Sequence, residues 1–142
     1  MSEHMILLVE DDPDHEALAI RALRKANVAN EIAVARDGAE ALAYMEGIAS
    51  GDKPVPQLVL LDLKLPKVEG LEVLRAIRAS DKTALLPVVV LTSSDEERDI
   101  VASYRLGVNS YIRKPVNFTD FAEATRQLGM YWLLLNQCPP AL

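Results

Sequence analysis

The apolar run Leu58-Val59-Leu60-Leu61 ends directly on Asp62, and it is framed by Pro54-Val55-Pro56 upstream and Leu65-Pro66 downstream. A short apolar run between such breakers reads as a strand buried on both faces, which belongs inside a parallel sheet. Asp62 then stands at the carboxyl end of that strand. Two other runs end on equally polar residues: Met5-Ile6-Leu7-Leu8-Val9 meets Glu10-Asp11-Asp12, and Val88-Val89-Val90-Leu91 meets Thr92-Ser93-Ser94. A last one closes on Lys114-Pro115. In open α/β sheets ligands bind outside the carboxyl ends of the strands, so these residues are expected to converge on one site.

Between the runs lie segments with helical spacing. The pattern predicts strands near 5–9, 31–35, 58–61, 87–91 and 108–112, and helices over 13–26, 38–47, 69–79, 95–105 and 118–135. Leu71, Leu74 and Ile77 form one apolar stripe of the third helix. Asp12-Pro13, Asp37-Gly38 and Ser94-Asp95-Glu96-Glu97 supply start signals, while Gly47, Gly51 and Gly107 read as stops or loops. The stretch from Gly47 to Gln57, with its two prolines and two glycines, is expected to be a surface loop. Strand and helix in alternation imply an α/β fold: a doubly wound parallel sheet of five strands with five helices.

The chain has 142 residues, enough for one domain with a proper core; the domain is expected over 1–137, with 138–142 a short tail. A net charge of -6 and the lack of a basic stripe argue against direct nucleic-acid binding. The lone Cys138 cannot close an intramolecular disulfide, and the N-terminus has no signal-peptide pattern, which favours the cytoplasm. The longest apolar run, Met130 to Leu135, is far below the roughly 20 residues a membrane-spanning helix needs.

Three acids at one strand end, brought close to Asp62, repel one another, and a cation would relieve that cost. Magnesium suits such a set, since it takes oxygen ligands and is held by one or two carboxylates plus a phosphate. Asp12 also reads as the cap of the first helix. A carboxylate beside a divalent cation can attack a phosphoryl group, which would make Asp62 a nucleophile and its product an acyl phosphate. Thr92 and Lys114 would match the added charge. Taken singly, Asp62 is a loop acid, Thr92 a strand-end hydroxyl and Lys114 a solvated charge. An acid pair at the first strand end, Asp at the third, Thr at the fourth and Lys-Pro at the fifth, in this chain order, is a far more specific signal. Pro115 fits either an ordinary loop proline or a cis peptide that pins the lysine.

From about Ile6 to Leu128 the chain resembles a response-regulator receiver domain of two-component signalling. The resemblance rests on Ile6-Leu7-Leu8-Val9-Glu10-Asp11-Asp12-Pro13, Leu60-Leu61-Asp62-Leu63-Lys64-Leu65-Pro66, Val90-Leu91-Thr92-Ser93-Ser94 and Tyr111-Ile112-Arg113-Lys114-Pro115. It implies a flavodoxin-like fold and a phosphoacceptor, Asp62, that takes its phosphoryl group from a sensor kinase's phosphohistidine. It implies Mg2+ on Asp11, Asp62 and the backbone carbonyl of Lys64, with Glu10 acting through water. Registered this way, the family's acid pair is Glu10 and Asp11, and Asp12 is a neighbour. Thr92 would bond the phosphoryl oxygen and Lys114 pair with it, while Thr92 and Tyr111 would form the switch that repacks the face of the fourth and fifth helices. Lys64 and Ser94, each two residues past a key position, would gate water and so set the phosphate's lifetime. Beyond phosphorylation and dephosphorylation of its own aspartate, no enzymatic activity is implied.

A narrower resemblance, to the single-domain regulators that partner phytochrome-type histidine kinases, rests on Lys53-Pro54-Val55-Pro56-Gln57-Leu58, on Tyr104 to Tyr111 and on Tyr131-Trp132-Leu133-Leu134-Leu135-Asn136. In the last helix, Phe118, Phe121, Ala122, Thr125, Leu128, Gly129 and Trp132 make a core-facing stripe. Met130, Tyr131 and Leu134 do not fit it, and because six consecutive apolar residues wrap around a helix some must face outward, which reads as a contact surface for a homodimer unless 139–142 folds back over it. Only a few residues follow that helix, so the output is expected to be a partner protein. Two rival readings stand beside this one: a small magnesium-dependent phosphohydrolase, for which a general acid and a substrate cap are not evident, and a receiver-like scaffold that is never phosphorylated. His4 and His15 lack metal-ligand spacing and carry no expected role.

Overall fold

The structure is a computed structural model, and residues 5–25, 30–94, 96–114, 118–129 and 131 are described. Strands and helices alternate along the chain: β1 (Met5–Val9), α1 (Pro13–Lys25), β2 (Glu31–Ala35), α2 (Gly38–Ser50), β3 (Leu58–Leu61), α3 (Gly70–Ala79), β4 (Val88–Thr92), α4 (Glu97–Arg105), β5 (Ser110–Arg113) and α5 (Phe118–Gly129). The five strands form one parallel sheet in the order β2-β1-β3-β4-β5.

The continuous apolar runs follow from burial on both faces, and strand periodicity of two sorts each run into two cores. Leu7, Val9, Val59, Leu61, Val88 and Val90 pack with Ala41, Met45 and Ile48 of α2 and Val73, Leu74 and Ile77 of α3. Their alternates Ile6, Leu8, Leu58, Leu60, Val89 and Leu91 pack with Ala19 and Leu23 of α1. Helices α1 and α5 lie against each other on that second face.

Several expected boundaries move. Gly47 does not end α2: the helix runs on to Ser50, and Gly51, at φ 89°, closes it by donating its amide hydrogen to Ile48 O. A left-handed residue at that position is what glycine supplies at no steric cost. β4 starts and ends one residue later than the expected 87–91, so Thr92 is the last residue of the strand itself. β5 begins at Ser110, not 108. The cap of α4 is Glu96, with no side-chain bond to the helix, and Ser94 instead donates its hydroxyl to Asp99 Oδ2. Pro115, Met130, Trp132, Leu134, Cys138 and the tail 138–142 lie outside the described residues.

Candidate functional site at the carboxyl edge of the sheet

The strand order reverses between β1 and β3, and this is where the charged residues gather. Glu10, Asp62 and Lys114 are each the first residue past a strand, and each is fixed by its own backbone. Glu10 N–H donates to Ala35 O (3.0 Å), Asp62 N–H to Val9 O (3.1 Å) and Lys114 N–H to Thr92 O (2.7 Å). Each amide thus bonds the last carbonyl of the neighbouring strand, so the sheet ladder itself sets the positions of the three groups.

The side chains close the arrangement. Lys114 Nζ lies 2.6 Å from Glu10 Oε1 and 3.0 Å from Asp62 Oδ2, all three residues being buried. Glu10 Oε2 accepts from Asp12 N–H (3.2 Å), and Asp62 Oδ1 accepts from Lys64 N–H (3.0 Å). Burial pushes the Glu10 carboxyl up to about 7, the nearby Lys114 ammonium offsetting only part of that. Burial also pulls on the Lys114 ammonium in the opposite sense, but Asp62 and Glu10 outweigh it and hold the lysine above its ordinary value.

Asp11 is exposed at the same edge, and carboxylate oxygens of Glu10, Asp11 and Asp62 lie within 4.8 Å of one another. An all-oxygen set of this span, with one member open to solvent, fits a hard divalent cation that keeps part of its water shell. Asp12 stands apart from this set. Its Oδ1 accepts from Asp14 N–H (2.8 Å) and His15 N–H (3.3 Å), which caps α1.

The loop after β3 is held from behind. Gly70 packs so closely that a Cβ there would lie 2.4 Å from Asp62 O, and one on Gly38 would lie 1.9 Å from Val68 O. Lys67 sits at φ 70°, unusual for a non-glycine residue, and its ammonium pairs with Asp37 Oδ2 at 3.3 Å. Asp37 Oδ1 meanwhile caps α2 through Glu40 N–H at 2.7 Å.

On the β4 side, Thr92 is fully buried and its Oγ1 accepts from Ser94 N–H at 3.4 Å. Tyr111, partly buried against the α2/α3 core, donates its hydroxyl hydrogen to Ser94 O at 2.8 Å. The loop between β4 and α4 is therefore tied both to the hydroxyl of Thr92 and to the ring of Tyr111. Sequence reasoning missed His15, whose Nδ1 lies 3.0 Å from Lys114 Nζ. The one available signal is its place on the first turn of a helix that starts at the acid cluster.

The family model for the response regulator receiver domain matches residues 6–126. The chain belongs to that family. It is 42% identical over 135 residues to a probable methanogenesis regulatory protein, FilR2, of Methanothrix harundinacea, covering 95% of this chain and 87% of the relative. It is 38% identical over 138 residues to the response regulator Rcp1 of Synechocystis, covering 96% and 94% of the two chains. The crystal structure of the Mn(2+)-bound form of Rcp1 superposes with a TM-score of 0.89 at 37% identity, covering 96% of this chain and 99% of the other. The phosphorylated cyanobacterial phytochrome response regulator RcpA superposes with a TM-score of 0.88 at 38% identity, over 97% and 99%. The flavodoxin-like doubly wound sheet read from the sequence is the fold observed, and this receiver domain is a module of two-component signalling.

Proposed function

We propose that Asp62 is the phosphoacceptor of this receiver domain and that the donor is the phosphohistidine of a phytochrome-type sensor kinase. What carries the reading is the buried Asp62 carboxylate, held between the Lys114 ammonium and the Glu10/Asp11 pair at the reversal of strand order. In the transfer, an Asp62 oxygen attacks phosphorus, the phosphorus–nitrogen bond of the donor breaks, and the histidine nitrogen recovers a proton. The product is an acyl phosphate, and the domain catalyses nothing beyond gaining and losing that group.

Glu10, Asp11, Asp62 and the backbone carbonyl of Lys64 are the groups that would hold Mg2+, with Glu10 acting through water. When bound, the cation would screen the repulsion between the carboxylate and the incoming phosphoryl oxygens. Lys114 turns from Asp62 Oδ2 to the phosphoryl group, and the Thr92 hydroxyl bonds it from the β4 side. That movement draws the loop at Ser93 and Ser94 with it. Tyr111, bonded to Ser94 O, then carries the change to the α4 and α5 face.

The phytochrome-type partner is supported by the likeness to RcpA along nearly the whole of both chains. The receiver module would extend to 137 with 138–142 a short tail, and a homodimer would use Met130, Tyr131 and Leu134, of which Tyr131 is half-exposed. The net charge of -6 supports a protein partner over nucleic acid. Among the described residues no helix is long and apolar enough to cross a membrane, which fits action in the cytoplasm.

The test is phosphotransfer from a purified, autophosphorylated phytochrome-type histidine kinase to the wild type and to Asp62→Asn. Label should reach the wild type with Mg2+ and fail to reach the variant, and sedimentation velocity should show a dimer that Tyr131→Glu weakens. Equal labelling of the two proteins would remove Asp62 from the role.

A further inference from the structure

His15 has no part in the reading above, yet its ring reaches the centre of the site. The Asp12 cap fixes the first turn of α1 over the sheet edge, and helical side chains lean back toward the N-terminus of their helix. This carries the half-buried imidazole to Lys114, with Nδ1 at 3.0 Å from Nζ. An ammonium has only donors, so in this contact Nδ1 accepts and the ring hydrogen belongs on Nε2. The same Nδ1 is 3.7 Å from Asp12 Oδ2 and 4.0 Å from Glu10 Oε1.

The ammonium of Lys114 thus faces acceptors of two kinds. Glu10 Oε1 and Asp62 Oδ2 are carboxylate oxygens, and both belong to the set that would hold a divalent cation. His15 Nδ1 is a neutral acceptor that a hard cation would leave alone. Once the carboxylates are engaged, the lysine loses two of the partners that aim it, while the imidazole keeps its place beside the ammonium.

We propose that His15 is a positioning residue for Lys114, an uncharged acceptor that keeps the ammonium aimed at the phosphoryl group on Asp62. The inference rests on the phosphoacceptor reading and adds a residue to it. A neutral acceptor suits the task because a further carboxylate would compete with the phosphoryl group for the ammonium, and a fixed cation would repel it.

The acceptor can be removed or restored at one position. His15→Leu keeps bulk and loses the nitrogen, whereas His15→Asn puts an amide oxygen close to where Nδ1 stood. The full-length chain is incubated with Mg2+ and acetyl phosphate, and the phosphorylated fraction is followed in time by intact mass, with thermal midpoints confirming that each variant folds. His15→Leu should gain the phosphoryl group about tenfold more slowly, the loss expected for one hydrogen bond to a charged group, and His15→Asn should recover most of the rate. Introduced together with Lys114→Met, His15→Leu should add no further slowing, because the group it aims is gone.

A wild-type rate in His15→Leu would overturn the inference while leaving Asp62 as phosphoacceptor. Equal slowing in His15→Leu and His15→Asn would overturn it too, since it would assign the effect to ring packing. Absence of any adduct on the wild type would instead overturn the phosphoacceptor reading, and this inference with it.

Discussion

Glu10 sits on a conflict that the rest of the site resolves. Its carboxylate is buried, which favours the protonated form, and its strongest partner is the Lys114 ammonium 2.6 Å away, which favours the charged one. Burial wins and the carboxyl is raised from 4.5 to about 7. A raised acid contributes stability that is fully present below its unfolded value and lost as pH rises through its folded one. Without metal, the wild type should therefore lose thermal stability between about pH 5 and about pH 8, and Glu10→Gln should lose less. Because a divalent cation competes with that proton, Mg2+ should flatten the wild-type decline. Identical pH profiles for the two proteins, measured by thermal unfolding, would show that Glu10 is not the group that titrates. The sequence, which puts three acids at one strand end, anticipates repulsion among them but not the burial that decides the Glu10 carboxyl. Nor does it anticipate the bond from Lys114 to His15, because that depends on the angle at which α1 meets the sheet edge.

Among the elements, the connection from α3 to β4 is the one whose fixation local patterning gives no hint of. Arg78 takes its place on α3 just past the apolar stripe, and its guanidinium spans two loops. Nη1 donates to Thr83 O, Ala84 O and Leu86 O, at 3.3, 3.2 and 2.7 Å. Nε and Nη2 both donate to Gly107 O, at 3.0 and 2.7 Å, and Nη2 reaches Asn109 Oδ1 at 3.1 Å. Asn109 in turn bonds both backbone groups of Val88, which fixes the start of β5 against β4. One arginine thus fastens the end of α4 to the floor of the sheet, opposite the site. Arg78→Ala should cost about 3 kcal/mol in urea unfolding, since it strands several carbonyls, and Arg78→Lys should recover little because an ammonium lacks the planar fork. A loss below about 0.5 kcal/mol would mean that water replaces the guanidinium freely. These partners are carbonyls, which every residue has, so no sequence pattern marks them. The three inner strands β1, β3 and β4, by contrast, are legible to within a residue because burial on both faces demands unbroken apolar runs. Gly47 misled for the opposite reason: a single glycine is tolerated inside a helix, and Gly51 meets the left-handed requirement at the true end.

Across the whole molecule, the sheet order explains why residues far apart in sequence form one site. Crossovers that place β1 between β2 and β3 set Glu10 beside Asp62, and β5 outside β4 leaves Lys114 free to reach across to both. The order of acid pair, Asp, Thr and Lys along the chain was readable in advance because Glu10, Asp62 and Lys114 each follow a strand and Thr92 ends one, and parallel strands put all their carboxyl ends on one edge. The surface beyond Gly129 was readable only as composition, with Tyr131 its one described and exposed member. The central proposal for this architecture is a phosphoacceptor at Asp62 served by a divalent cation. The direct measurement is intact mass after incubation with acetyl phosphate, made on the wild type with Mg2+, on the wild type with a chelator, and on Asp62→Asn with Mg2+. The account predicts one added phosphoryl group in the first sample and none in the other two. An adduct that persists in Asp62→Asn, or a wild type that stays unmodified with Mg2+ present, would contradict it.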